Sequence, residues 1–163
     1  MSECLIANSF FNRYSLFGGL TDRQLDTVRP YIKERTVTEG TYILRQGEFN
    51  ATVYFIVKGS VSIVKHAPEN MLKIRNIVTL KEGDSFGEME LIDVQPCAAS
   101  AIARKETSLV SLDNKDFYQL SKIDLPLYTM MMLNLARDIS RRLRCTDNLL
   151  AMAQIKSDSN VVV

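Results

Sequence analysis

The sequence predicts a mainly β domain, a sandwich or a barrel, with helices at both ends of the chain. Between residues 36 and 112, short runs of β-branched, aromatic and alternating apolar residues follow one another with no helical segment between them. Five of the seven glycines fall between these runs, where their tolerance of positive φ suits tight turns. The five are Gly40, Gly47, Gly59, Gly83 and Gly87. This pattern favours a sandwich or barrel over a β-α-β fold, in which helices separate the strands.

Helices are predicted over residues 1–35 and 113–153, and together with the β segment they form one domain over residues 1–153. Thr21 with Gln24 three residues later forms a capping box, and Asp22 suits the positive end of the helix that follows. Pro30 ends this first helix with a bend. Residues 154–163 carry no structure signal and are expected to form a flexible tail, which leaves no room for a second domain.

The last helical region predicts a long helix that opens at Pro126, because proline is tolerated in a first turn. Apolar residues lie along it at spacings that place them on one side, and we interpret them as a seam for pairing with a second copy. They are Met132, Leu135, Ile139 and Leu149. The basic residues between 137 and 144 occupy other faces and are interpreted as solvated. No recognition helix accompanies them, so DNA is not an expected partner.

Composition narrows the classes of function. Twenty basic residues against nineteen acidic ones leave a charge of +1, which gives no reason to expect nucleic acid or an anionic membrane. No apolar run is long enough to span a bilayer, and no secretory signal precedes the first helix. The three cysteines are scattered, as in a reducing compartment. We therefore expect a cytoplasmic protein with no membrane partner.

The sequence contains no pattern of residues that is typical of a catalytic site. His66 is the single histidine and lies beside a polar loop, so a multi-histidine metal site is impossible. No nucleophile lies in a pattern that pairs it with a general base. We expect a protein that is not an enzyme and that holds no metal and no cofactor.

Residues 83–92 (GDSFGEMELI) and 95–100 (QPCAAS) are the most specific part of the sequence. They resemble the phosphate-binding cassette of cyclic nucleotide-binding domains, which reads F-G-E-L/M-A-L, a short loop, then P-R-A-A-T/S. Residues 16–21, 39–48 and 54–61 also resemble segments of that family, so the similarity covers about residues 15–145. It implies a β jelly-roll barrel with an N-terminal helix and a long C-terminal helix. It also implies cyclic AMP or cyclic GMP as the possible ligand.

The resemblance assigns a role to each residue of the cassette. Gly87 matches the turn glycine, and Glu88 matches the glutamate that binds the ribose 2′-hydroxyl. Free N–H groups of the helical turn after them would face the cyclic phosphate. The ligand-binding set is then Phe86, Gly87, Glu88, Met89, Glu90, Leu91, Cys97, Ala98, Ala99 and Ser100.

Two cassette residues depart from the family pattern. Cys97 stands where the family has the arginine that pairs with the phosphate, and Glu90 replaces a small residue. Cys97 is interpreted as a small buried filler, with a redox-active thiol as the alternative. Glu88 either keeps its ribose role or hydrogen-bonds backbone N–H groups at the turn. A substitute cation is a further alternative, with Arg104, Arg45 and Lys58 as candidates.

Three hypotheses follow. The first is a stand-alone regulatory or interaction module whose affinity for cyclic nucleotide is weak or lost, acting through an unknown protein partner and as a homodimer through the C-terminal helix. The second is a working cyclic AMP or cyclic GMP sensor with other phosphate contacts, which signals through the same helix. The third, a cupin-type metalloenzyme, conflicts with the single histidine.

Overall fold

The computed structural model describes residues 8–67, 70–93 and 95–159. Within these ranges the side chains of residues 67, 70–73, 90, 91, 153 and 156–159 lie outside the description. The predicted tail is thus described only as far as residue 159, and residues 160–163 lie outside it.

Short helical elements come first, then the strands, then two helices. The first part contains α1 (Asn8–Phe11), a first 3₁₀ turn (Ser15–Phe17), α2 (Asp22–Val28) and a second 3₁₀ turn (Arg29–Tyr31). The middle part contains β1 (Ile32–Val37), β2 (Tyr42–Leu44), β3 (Thr52–Lys58), β4 (Ser60–Ala67), β5 (Asn70–Lys81), β6 (Ser85–Phe86), α3 (Met89–Ile92), β7 (Ser100–Ala103) and β8 (Thr107–Asp113). The last part contains α4 (Asn114–Ile123) and α5 (Leu125–Ser159).

The strands form two antiparallel four-stranded sheets, with the orders β1-β8-β3-β6 and β2-β7-β4-β5. The mainly β class with flanking helices is confirmed, although the two sheets do not close into a single barrel. β6 is only two residues long and pairs with the middle of β3, where Tyr54 faces Phe86 and Phe55 faces Ser85. This pairing fixes the start of the cassette against a central strand.

The sequence prediction was wrong for residues 32–35 of β1, which it placed within the N-terminal helical part. β1 lies at the edge of its sheet and pairs with β8 alone. Its four central residues are all exposed, with only Ile32 and Val37 buried. A strand whose two faces are both exposed to solvent has no alternation of apolar and polar residues, so the pattern used to find the other strands is missing here.

The sequence signals for helix starts and for turns were confirmed. Thr21 and Gln24 form the capping box at the start of α2. All five predicted turn glycines have positive φ. Asp124 caps the start of α5, since its carboxylate accepts a hydrogen bond from the Leu127 amide at 2.9 Å.

Two buried clusters flank β3, whose neighbouring residues point to opposite sides. Phe55 packs on the helical side, where it meets Tyr14 and the other aromatic rings of the N-terminal segment. Ile56 packs between the two sheets with Phe86. The helical cluster holds α5 in place through Leu127, Met131 and Leu135. The first half of α5 is therefore part of the domain body, resting on the first 3₁₀ turn and on α4.

This packing corrects the seam predicted on the last helix. Leu135 is buried in the helical cluster of its own chain, and Met132 is half-buried against that cluster. Ile139 is half-buried, and only Leu149 is strongly exposed, at 63%. The helix also continues to Ser159, past residue 153 where the helical prediction ended. Apolar spacing alone could not distinguish a face packed on the domain from a face open to a partner.

Tyr14 lies in the helical cluster and donates a hydrogen bond from its hydroxyl to the Ile56 carbonyl at 2.8 Å. Burial raises the pKa of Tyr14 from 10.0 to about 12. A raised pKa means that the folded state binds this proton more tightly than the unfolded chain, so stability is full below pH 10 and falls as pH rises to 12. We expect this to remove about 2 kcal/mol between the two pH values.

Denaturant unfolding across that pH range, beside Tyr14→Phe, checks the expectation. The phenylalanine variant loses the hydrogen bond and is less stable at neutral pH, but its stability should decline less steeply above pH 10. Equal slopes for the two proteins would show that another group causes the alkaline loss.

Candidate functional site

The cassette runs from β6 through α3 to the start of β7. The chain leaves β6 at Phe86, turns at Gly87, and enters α3 directly after Glu88. It returns through Cys97, whose amide donates to the Glu48 carbonyl and whose carbonyl accepts from the Gly47 amide, both at 2.9 Å. The two halves of the cassette meet in one buried cluster, which contains both Phe86 and Cys97.

Gly87 is required at the turn for two reasons. Its φ is +81°, a conformation that L side chains rarely adopt. A Cβ atom there would also lie 2.6 Å from the Thr52 carbonyl oxygen and 3.3 Å from Asn50 Nδ2. Asn50 Nδ2 donates to that same carbonyl at 2.7 Å, so neither neighbour is free to move aside. The turn that delivers Glu88 therefore depends on glycine.

Gly87→Ala is expected to destabilise the fold by about 1–3 kcal/mol more than Gly40→Ala. Gly40 is the matched control because its φ is also positive, at +78°, while nothing lies within 4 Å of its Cβ position. Both variants therefore carry the backbone strain, and only Gly87→Ala adds the clash. Urea unfolding of the two variants gives the difference, and equal losses would contradict the close packing at this turn.

Glu88 is buried, with a side chain 5% exposed, and it pairs with Arg142 of α5. Arg142 Nη1 donates to Glu88 Oε1, and Arg142 Nη2 donates to the Ser85 carbonyl at 2.7 Å. The Glu88 side chain makes no capping hydrogen bond at the start of α3. The long helix thus reaches the cassette through one guanidinium.

Arg142 was missed as a site residue, because the sequence analysis interpreted it as part of a solvated helix face. Its side chain is 46% exposed even though its guanidinium contacts Glu88 and Ser85. One available signal was the four-residue spacing of the polar residues Asn134, Asp138 and Arg142, each of which is followed directly by an apolar residue.

Cys97 is buried, at 3% exposure, among the apolar residues between the two sheets. Its neighbours in that cluster include Leu44, Phe86 and Ala101. Phe86 itself stacks on Tyr54 with ring centroids 5.2 Å apart, and burial raises the pKa of the Tyr54 hydroxyl. The surroundings of Cys97 are those of a packed filler rather than of an accessible thiol.

Native protein treated with an alkylating reagent should be modified at Cys145, which is exposed, and not at Cys97. Peptide mapping by mass spectrometry distinguishes the two positions and keeps Cys4, which lies outside the described residues, separate. Denatured protein, in which Cys97 reacts as fast as Cys145, is the control. Fast modification of Cys97 in the folded protein would support the redox-active alternative instead.

The small residues after Cys97 differ in their environments. Ala98 is exposed and Ala99 is half-buried. Ser100 is buried, and its hydroxyl accepts a hydrogen bond from the Gln46 amide at 2.9 Å. The Gln46 side chain in turn accepts from the His66 amide at 2.9 Å. Ser100 therefore ties β7 to the turn after β2.

The substitute cations suggested by the sequence, Arg104, Arg45 and Lys58, are all exposed. The Arg45 guanidinium stacks on the Tyr42 ring, 4.2 Å from its centroid. Arg142 is a basic side chain that does reach the cassette. Of the remaining predicted site residues, Met89 is exposed, and the side chains of Glu90 and Leu91 lie outside the described part.

Residues 8–67, 70–93 and 95–159 contain no group of three or more His, Cys, Asp and Glu side chains that could hold a metal ion. No helix in these ranges combines the length and apolar character needed to cross a membrane.

Comparison with known proteins agrees with the architecture. A family model described as the cyclic nucleotide-binding domain matches residues 34–124. The cyclic AMP receptor protein of Thermus thermophilus is 33% identical over 132 residues, which are 81% of this chain and 58% of that protein. The chain therefore spans little more than half the length of this relative.

Solved structures show the same likeness. The catabolite activator protein of Thermus thermophilus superposes with a TM-score of 0.73 at 31% identity, covering 86% of this chain and 63% of that one. A cyclic nucleotide-binding domain from Methylobacillus flagellatus gives a TM-score of 0.78 at 24% identity, covering 88% of this chain and 80% of that one, and it shows the shared fold. Since the family model covers more than half of the chain, this protein belongs to the cyclic nucleotide-binding domain family.

Proposed function

We propose that this domain is a non-enzymatic regulatory module whose affinity for cyclic AMP and cyclic GMP is weak or lost. One observation carries the proposal. Cys97 stands at the position where the family cassette has its phosphate-binding arginine, and it is buried among apolar residues. No charge is available from this side chain for the phosphate.

The size of the expected loss follows from the charge that is missing. Truncating one partner of a buried, hydrogen-bonded charge pair costs about 2–5 kcal/mol, which weakens binding roughly 30- to 3,000-fold. A site of micromolar affinity would then bind near millimolar concentrations. Such a site would not respond to a second messenger at low concentration.

The Glu88–Arg142 pair supports a second proposal, that α5 closes the cassette. Glu88 is the residue that the family resemblance assigns to the ribose, and here its carboxylate is bonded to a guanidinium from α5. A ligand that uses Glu88 must share or displace this contact. We infer that the state of the cassette is read out as the position of α5.

A thermal or chemical unfolding assay with added nucleotide tests the weak affinity. A ligand at about 1 mM stabilises the fold by about 4 kcal/mol if its dissociation constant is micromolar, and by about 0.4 kcal/mol if it is millimolar. Adenosine 5′-monophosphate, which lacks the cyclic phosphate, is the control. We expect the smaller stabilisation, and the larger one would overturn the proposal.

The second candidate is a working sensor in which Arg142 supplies the positive charge. The observation that favours it is the position of Arg142, whose guanidinium already contacts both Ser85 and Glu88 of the cassette. Arg142→Ala separates the two candidates. A sensor of this kind binds nucleotide at micromolar levels and loses that binding in the variant, whereas the weak module shows little binding in either protein.

We also propose that the second half of α5 pairs with a second copy of the chain. Every described side chain from Ser140 to Met152 is exposed. Its large apolar residues, Leu143, Leu149, Leu150 and Met152, are each more than half exposed. Leu143 and Leu150 are seven residues apart, the repeat of a two-helix seam.

The double variant Leu143→Glu and Leu150→Glu is expected to be monomeric where the wild-type protein sediments as a dimer. Two buried carboxylates would face their counterparts across the seam, where like charges repel. Asn148→Glu is the matched control because residue 148 lies on the opposite face of the helix from these leucines. Sedimentation analysis gives the masses, and a monomeric wild-type protein would contradict the pairing.

A further inference from the structure

Three polar side chains of α5 hold this helix against the rest of the domain. Asn134, Asp138 and Arg142 are spaced by four residues, which places them on one face of the helix. The first two contact the first 3₁₀ turn, and the third contacts the cassette. One helical face therefore connects two parts of the domain that are far apart in the sequence.

Asn134 makes the most buried of these contacts. Its Nδ2 atom donates to the Gly18 carbonyl at 2.7 Å and to the Leu16 carbonyl at 3.2 Å. Its Oδ1 atom accepts from Arg137 Nη1 at 3.2 Å. Because the oxygen is engaged by a cation, the amide can present only its NH₂ group to the two carbonyls. The amide thus fits the end of the 3₁₀ turn in one orientation.

Asp138 continues the contact one helical turn later. Its carboxylate accepts a hydrogen bond from the Ser15 hydroxyl and pairs with Arg141 on its own helix. Arg142 follows after a further turn, with its bonds to Ser85 and Glu88. The three contacts thus occur at successive turns of one continuous helix.

We propose that Asn134 and Asp138 are positioning residues for Arg142. Since α5 is continuous, its attachment to the 3₁₀ turn sets both the rotation and the height at which Arg142 meets Glu88. Loss of that attachment displaces the guanidinium from the cassette. The coupling is reciprocal, so loss of the Glu88–Arg142 pair loosens the 3₁₀ turn. This inference rests on the proposed closure of the cassette by α5.

Amide hydrogen exchange of the ligand-free protein, with peptides over residues 15–18 and 85–93, tests the coupling. Asn134→Ala is expected to speed exchange in residues 85–93 about fivefold, the effect of one net hydrogen bond on an opening equilibrium. Ser15→Ala removes the Asp138 contact from the other side without altering the helix, and it should act in the same direction. In the reverse test, Glu88→Gln should speed exchange in residues 15–18.

Asn148→Ala, an exposed change on the same helix, is the control and should leave both peptides unchanged. A purely structural role of Asn134 would speed exchange near residues 15–18 and leave residues 85–93 as in the wild type. That result with both Asn134→Ala and Ser15→Ala would overturn the inference. Because no nucleotide is present, strong binding of cyclic AMP would refute the proposed function without altering this outcome.

Discussion

Replacing Cys97 by arginine is expected to raise the affinity of the domain for cyclic AMP and cyclic GMP by about 30- to 3,000-fold. The change restores the charge that the family cassette directs at the phosphate. The rest of the cassette is in place to use it, since Gly87 makes its tight turn and Glu88 lies at the start of α3. Calorimetric titration of the variant with each nucleotide gives the gain.

Stability provides a second readout of the same variant. Without ligand, the arginine would enter a cluster of apolar side chains, where an unpaired charge is costly. Cys97→Arg is therefore expected to unfold more easily than the wild type and to recover when nucleotide is added. Cys97→Ala is the control, because it removes the thiol without adding charge and should bind no better than the wild type. A folded arginine variant with unchanged affinity would show that the missing charge is not the cause of weak binding.

Arg142→Ala is expected to lower the free energy of unfolding by about 1–3 kcal/mol. This loss reflects the broken Glu88–Arg142 pair and not a contribution of the arginine alone. The carboxylate of Glu88 is buried, so removal of its partner leaves a charge that water reaches poorly. The half-exposed position of Arg142 keeps the effect below that of a fully buried pair.

A double-mutant cycle isolates the coupling energy between Glu88 and Arg142. Glu88→Gln, Arg142→Ala and the double variant are unfolded in urea beside the wild type, and a coupling energy above about 1 kcal/mol is expected. Arg144→Ala, on an exposed part of the same helix, controls for helix propensity. Additive losses from Glu88→Gln and Arg142→Ala would mean that the contact does not hold α5 on the cassette.

Much of the local structure could be predicted from the sequence, because turns and helix starts depend on residue types with narrow conformational preferences. Gly87 and the capping box at Thr21 are of this kind, and both were found where expected. The β region was also predicted, from alternating apolar residues, and β4 pairs with β5 within it. Such signals act within a few residues of the chain.

The features that were missed depend on contacts distant in sequence. β1 has no alternation because it is an exposed edge. The pairing of Arg142 with Glu88 joins residues 54 positions apart, and nothing in either local sequence specifies the partner. The apolar residues of α5 fall into two groups. Those in its first half, such as Leu135, pack on their own domain, whereas later ones, such as Leu149, are exposed. Only the folded structure shows where along α5 the apolar residues cease to be buried.

Calorimetric titration of the wild-type protein with cyclic AMP and cyclic GMP, up to millimolar concentration, tests the central claim most directly. The absence of a cation at Cys97 predicts no saturable heat in the micromolar range for either nucleotide. A micromolar dissociation constant would contradict this account and would mean that another group, with Arg142 the first to test, neutralises the phosphate.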